Sequence, residues 1–345
     1  MPAEIVPNPV AVSLGEIWRN ICTDNGSLPS MTIADLDEIL HVFEHGLFRK
    51  AAGVYGYAAD GLCNFIAAGS ATVAGATLSS GTYTMTRDIY LSSGSIVQAG
   101  ATITTAGFRI FCNGLLTVNG TIDSSGNAAS ADTAGAALAY SGTISNTTVG
   151  EAGGAGSTTE NAGTAAATNA LGGVGGAGGV GAGPQAGGLG GAVTGPAVTV
   201  QGPYTVDLAA KVRVVGTTAL ALCLGGAGGG SGGGDGTNLS GGGGGGGGIV
   251  MVAARSLAGT GTISAKGGAG GAAAVAGNSA GGGGGGGGCI IIISSSVNPL
   301  AISGAASALI NGPTLSVAGG AGGAKTGTGT VGLVGLAGTT ILIPH

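Results

Sequence analysis

Eight consecutive glycines occupy positions 241–248 and a second run of eight occupies 281–288, so the two begin forty residues apart. Each run ends in an apolar burst, Ile249-Val250-Met251-Val252 after the first and Cys289-Ile290-Ile291-Ile292-Ile293 after the second. A backbone of glycine alone loses the most entropy on ordering and brings no side chain to pack, which excludes helix and ordinary strand for both runs. Two readings are left: a flexible or silk-like tether, or extended helices of polyglycine II type packed so tightly that only hydrogen fits between them. Length favours packing. An extended helix rises ~3.1 Å per residue, so eight residues span about 25 Å, similar to the ~17 Å of a five-residue strand. Runs and bursts can then stack as layers of one body, with Gly241, Gly245, Gly248, Gly281, Gly285 and Gly288 as the candidate structural positions.

Composition supports an ordered body. The 345 residues include 80 glycines and 10 prolines, a share at which low complexity becomes the prior. Yet charged residues are only 7 % and hydrophobic residues 43 %, the opposite of a disordered chain. The net charge of −5 sits at one end, because residues 1–60 hold eight acids against Arg19, Arg49 and Lys50, and the rest carries seven of each sign. No basic patch interleaved with aromatics occurs, which argues against nucleic acid as a partner. Cys22, Cys63, Cys112, Cys223 and Cys289 are odd in number and widely spaced, with no CxxC pair, so they read as small apolar side chains. Neither a secretory signal at 1–9 nor a run of about 18 apolar residues is present.

Residues 1–57 alone are written in helical periodicity. Ser13-Leu14-Gly15-Glu16 fits a capping box ahead of Ile17, Trp18 and Ile21. A second start at Thr32 leads into Ile33, Leu36, Leu40, Phe43 and Leu47 at three- and four-residue spacing. Helices this short need a partner surface, so Trp18, Leu36, Leu40, Phe43 and Leu47 are the candidate attachment residues.

From 58 to 127 short strands follow one another: Thr82 to Met85, Asp88 to Leu91, Ser95 to Val97, Thr102 to Thr104, Phe108 to Phe111 and Leu115 to Val118. Their starts are about six to seven residues apart, with glycine turns between, which predicts a parallel β-helix or solenoid more than a sandwich. Residues 128–345 form the glycine-rich body. A Gly-Thr-Ile-(Ser/Asp) corner recurs at Gly120 in the neck and at Gly142 and Gly261 in the body, as expected if stacked units turn at the same place. The strict every-third glycine of collagen is not sustained through this body, which argues against a collagen triple helix. The tail Gly338 to Pro344 is expected to supply a last strand. The expected fold is therefore mainly β: a small helical module (1–57), a β-helix-like neck (58–127) and a body of packed polyglycine II helices and short strands (128–345).

Two features carry a resemblance. Thr86-Arg87-Asp88-Ile89-Tyr90 and Leu116-Thr117-Val118-Asn119-Gly120-Thr121-Ile122-Asp123 look like the β-helical shaft segments of bacteriophage fibres. The tracts at Gly241 and Gly281 are similar to the glycine-rich motifs of T-even-type tail-fibre adhesins. The chain thus resembles bacteriophage tail-fibre and receptor-binding appendage proteins over about two-thirds of its length. The resemblance implies a virion protein without a cofactor, usually a homotrimer. Its N-terminal helices would dock on other virion proteins, and its distal body would meet a host surface glycan or outer-membrane receptor. The adhesins carry aromatic-rich loops between tracts, whereas no aromatic follows Tyr204 here. A capsid-surface fibre or decoration protein without a receptor is therefore an alternative.

Enzymatic readings are weaker. His41-Val42-Phe43-Glu44-His45 has the spacing of an H-x-x-E-H zinc motif. A third ligand and a pocket are needed, and Phe43 belongs to the apolar stripe, so no metal is assigned. A β-helical polysaccharide depolymerase spike would need paired carboxylates. Asp88, Asp123, Asp132, Glu151 and Glu160 are the acids available, and Asp88 and Asp123 sit where carboxylates close turns onto backbone N–H groups. A phosphate loop is excluded because an Ile/Val strand, not a lysine or a helix, follows each tract. No catalytic residue is assigned.

Overall fold

The computed structural model describes residues 58–67, 72–138, 140, 142, 152–158, 172–182, 186–192, 205–206, 213–215, 221–222, 225–274, 276–297 and 309–344. The expected helices with Trp18, Leu36, Leu40, Phe43 and Leu47, the His41 to His45 motif, the corner after Gly142 and the carboxylates Glu151 and Glu160 lie outside them.

The described chain is mainly β, without a helix among the described residues. Its strands are β1 (Asn64–Phe65), β2 (Ala76–Ser79), β3 (Thr82–Met85), β4 (Ile89–Leu91), β5 (Ser95–Val97), β6 (Thr102–Thr104), β7 (Ile110–Val118), β8 (Thr121–Asp123), β9 (Thr205–Val206), β10 (Arg213–Val215), β11 (Ala221–Leu222), β12 (Ile249–Ala258), β13 (Thr262–Ser264), β14 (Cys289–Ser294), β15 (Thr314–Ser316) and β16 (Thr339–Pro344). One parallel sheet runs β1-β5-β7-β12-β14-β16, with β4 also paired to β7. A second runs β15-β13-β8-β6-β3-β2 and is parallel except at β2–β3. There Ser80 and Gly81, both at positive φ, make the two-residue turn that suits the strand twist. β9, β10 and β11 form a small antiparallel sheet.

From β7 onward the two large sheets take strands alternately: β7, β12, β14 and β16 in the first, β8, β13 and β15 in the second. The corners coincide. Thr121, Ile122 and Asp123 pair with Thr262, Ile263 and Ser264, which pair with Thr314, Leu315 and Ser316. Gly120 and Gly261 stand one above the other, and a Cβ on Gly261 would overlap the Gly120 carbonyl oxygen. The recurring Gly-Thr-Ile corner is thus a structural register as well as a sequence repeat. Strands on either side of the expected boundary at 127/128 pair within the same sheets, and residues 52–345 form one compact unit.

The sheets face each other across a core in which Tyr83, Ile103, Ile122 and Ile263 meet Ile110, Leu116, Val250, Val252, Ile290 and Ile292. β14 is buried along its full length and β12 over its first six residues. Burial on both faces explains why these strands read as unbroken apolar runs and not as alternation.

One expectation is corrected. Phe108 to Phe111 and Leu115 to Val118 are not two strands but the single β7, with Asn113 and Gly114 inside it. Opposite them β12 offers only Arg255, since Ala254 pairs with Cys112 and Ser256 with Leu115. This is a β-bulge. The Ser93 side chain fills the space where a Cβ of residue 114 would stand, and its hydroxyl accepts the Leu115 N–H at 3.1 Å.

Candidate functional site

The glycine tracts lead into β12 and β14, and all sixteen of their residues are buried. A buried backbone with no side chains must pair every polar group with another backbone. Residues 281–288 do so in full. Gly281, Gly284 and Gly287 donate to Thr330, Leu333 and Leu336; Gly282, Gly285 and Gly288 donate to Gly271, Gly268 and Ala265; Gly283 and Gly286 donate to Gly230 and Ala227. The partner changes with each residue and repeats every third.

The carbonyls follow the same rule. Those of Gly281, Gly284 and Gly287 accept from Gly179, Gly176 and Gly173; those of Gly283 and Gly286 from Gly244 and Gly247; those of Gly282, Gly285 and Gly288 from Gly323, Gly320 and Thr339. All these bonds measure 2.7–3.1 Å. Residues 281–288 are therefore the hub of six other segments, and no single sheet ladder contains them.

The first tract is bonded alike. Gly241, Gly244 and Gly247 donate to Ala280, Gly283 and Gly286, while Gly242, Gly245 and Gly248 donate to Ala131, Asn127 and Ser124. The candidate glycines differ in what an added Cβ would meet. At Gly241 it would overlap the Gly271 oxygen, at Gly281 that of Gly323, at Gly285 that of Gly245 and at Gly288 that of Gly248. At Gly248 it would strike the Tyr140 hydroxyl. Gly245 is the least confined, with the Ala136 oxygen at 2.8 Å.

Tyr140 fastens the point where the first tract becomes β12. Its hydroxyl accepts the Ile249 N–H at 3.0 Å and is in close contact with the Ser124 hydroxyl. Its ring lies over Gly107, where a side chain would collide with it. Nothing in its Ala/Ser/Gly surroundings marks this tyrosine in the sequence.

The turns between tracts are joined by side chains. Asp235 accepts N–H bonds from Thr237 (3.0 Å), Asn238 (2.6 Å) and, across to the next turn, Asn278 (2.9 Å). The Asn238 backbone N–H, then that of Asn278, hold its carboxyl well below the usual carboxylate range. Asn278 in turn accepts from the Thr328 N–H at 3.0 Å. Asp235-Gly236-Thr237-Asn238 is a turn signal visible in the sequence, but its bond to Asn278 is not.

The other candidates have structural partners. Asp88 accepts from the Arg109 backbone N–H and Nε, both at 2.8 Å, and the two side chains are buried together. Asp123 accepts from the Ser125 N–H at 3.2 Å, the turn closure expected of it. Asp132 lies on the surface. Among the described residues no group of three His, Cys, Asp or Glu side chains could hold a metal ion. Cys63, Cys112 and Cys289 are buried free thiols, and burial raises the pKa of the first two. No known protein family, curated protein or solved structure matches this chain.

Proposed function

We propose that the chain is a subunit of a bacteriophage fibre or appendage, a non-enzymatic virion protein. In this reading residues 1–57 dock it to other virion proteins. The strands of 58–127 form a β-helix-like neck, and 128–345 form a rigid polyglycine II and β body projected toward a host surface glycan or outer-membrane receptor. The observation that carries the reading is the saturated bonding of residues 281–288 to six other segments. A tether would leave these groups to water, whereas a saturated lattice of short segments is a stiff spacer that needs few side chains. A rigid lattice with few charged side chains suits a mechanical and adhesive task.

The test is an antibody against the C-terminal body applied to intact particles, together with competition of particle adsorption by the purified protein. Labelled tails and slowed adsorption are expected. Labelled heads with unchanged adsorption would favour a decoration protein instead. Oligosaccharide released from host capsule or lipopolysaccharide would favour a depolymerase, and particles without label would end the virion reading.

A further inference from the structure

The outermost layer of the glycine-rich body is a row of four segments, 317–325, 330–338, 172–181 and 186–192. Each is bonded to the next, as in Gly332 N–H to Gly323, Leu333 N–H to Ala177 and Gly178 N–H to Gly188. Segment 330–338 turns Gly332, Gly335 and Gly338 inward onto Gly282, Gly285 and Gly288. Its other residues face out. Val331, Leu333, Val334 and Leu336 expose 57–62 % of their surface, with Val180 (48 %) and Leu189 (74 %) in the same row.

The neighbouring outward-facing files are small or charged: Lys266, Ala269 and Ala272 on the segment next to the row, and Ala318, Ala321 and Ala324 on the row's own first segment. Among the described residues, large exposed aliphatic groups gather on 330–338, with Val180 and Leu189 beside them. The backbone beneath them is open too. Among the described residues, the N–H groups of Val331, Val334 and Ala337 donate to nothing, although every other N–H from 330 to 338 is bonded. The segment runs straight on into β16, which pairs with β14 on one side and is the edge of its sheet on the other. An uncharged apolar edge of this kind is unstable toward association.

We propose that this face is an interface between two copies of the chain. Each of the six side chains leaves on the order of 100 Å² open, so the face offers about 600 Å² per copy before the edge of β16 is added. A standard interface needs ~800 Å² per partner. The face itself is the only clustered apolar surface of matching kind among the described residues, since Leu62, Leu115, Leu239 and Ile310 are exposed at other elements. A patch that fits only itself pairs around a twofold axis. That departs from the threefold closure implied by the fibre resemblance, and it does not depend on the attachment role.

Native mass spectrometry and amide exchange on the full chain test this. An even-numbered oligomer is expected, with slow exchange at Val331 and Val334. The double variant Leu333→Lys/Val334→Lys should lower the oligomer by half and speed exchange at Val331 at least tenfold. Slow exchange at 281–288 should persist in that variant, showing that the body is folded. A monomeric or trimeric wild type, or fast exchange at Val331 and Val334 in the wild-type oligomer, overturns the proposal. So does a folded double variant that keeps its size. If the double variant loses protection at 281–288, the wild-type mass and exchange pattern decide alone. Association through residues 1–57 would leave Val331 and Val334 fast, and so is distinguishable.

Discussion

The carbonyl carbon of Gly245 lies 2.5 Å from the point where a β-carbon on Gly285 would stand, and its oxygen lies closer still. Gly282 meets Gly242 and Gly288 meets Gly248 in the same way, so the two tracts touch every third residue in the forty-residue register of the repeat. No other residue type can occupy position 285 without moving a neighbouring backbone.

Gly285→Ala is therefore expected to cost at least ~3 kcal/mol, the upper end of overpacking penalties, because the obstruction is a main chain that cannot change rotamer. Gly245→Ala, with its nearest atom at 2.8 Å, should cost less. Thermal unfolding of the two variants measures this. Equal and negligible shifts would mean that the tracts do not touch.

Amide exchange should divide the tracts from their turns. All eight N–H groups of 281–288 are bonded and buried, so opening them requires displacing several segments at once. Gly236 and Thr328 lie at the exposed turns. Protection at 281–288 approaching that of β14, with exchange orders of magnitude faster at the turns, is the expected pattern. Peptide-like exchange throughout both tracts would return the chain to the tether reading.

Asp235 sets a pH dependence whose sign follows from its partners. Its folded pKa is depressed by the N–H groups of Asn238 and Asn278. Its contribution is therefore fully present above the unfolded value of about 3.9 and is lost only as pH falls through the lower folded value. Carboxyl resonances followed by NMR should show Asp235 still ionised at pH 3. Asp235→Ala should speed exchange at Asn278 about tenfold. A carboxyl titrating near 4 would remove this link between the turns.

The Asp88–Arg109 pair is a further test of partners inferred from geometry. Asp88→Leu leaves the buried guanidinium and the Arg109 N–H without that carboxylate, whereas Arg109→Leu leaves Asp88 its bond to the backbone N–H of residue 109. Breaking a buried pair costs roughly 3–5 kcal/mol, and Asp88→Leu should be the worse of the two in denaturant unfolding. A loss below ~1 kcal/mol for Asp88→Leu would show that the pair is solvated.

Much of this was legible from local pattern. The strands at Thr82, Ser95, Thr102, Cys289 and Thr339 follow from β-branched runs bounded by glycine. The Gly-Thr-Ile corners at 120 and 261 announced a stacking register, and the octaglycines announced close backbone approach. These features are local because backbone conformation and side-chain volume are properties of a few consecutive residues.

What only the tertiary structure decided is which backbones meet. Glycine carries no side chain by which one tract could be matched to another, so nothing in the composition distinguishes 172–181 from 317–325 as a neighbour of 281–288. Their places are set by the strands that each tract leaves and enters, and by the three-residue turn that points successive N–H groups at different partners. The joining of Asn113 and Gly114 into β7, the seat of Tyr140 against Ile249 and the bond from Asn278 to Asp235 arise in the same way. Each pairs groups 20 or more residues apart whose meeting depends on the stack already being formed.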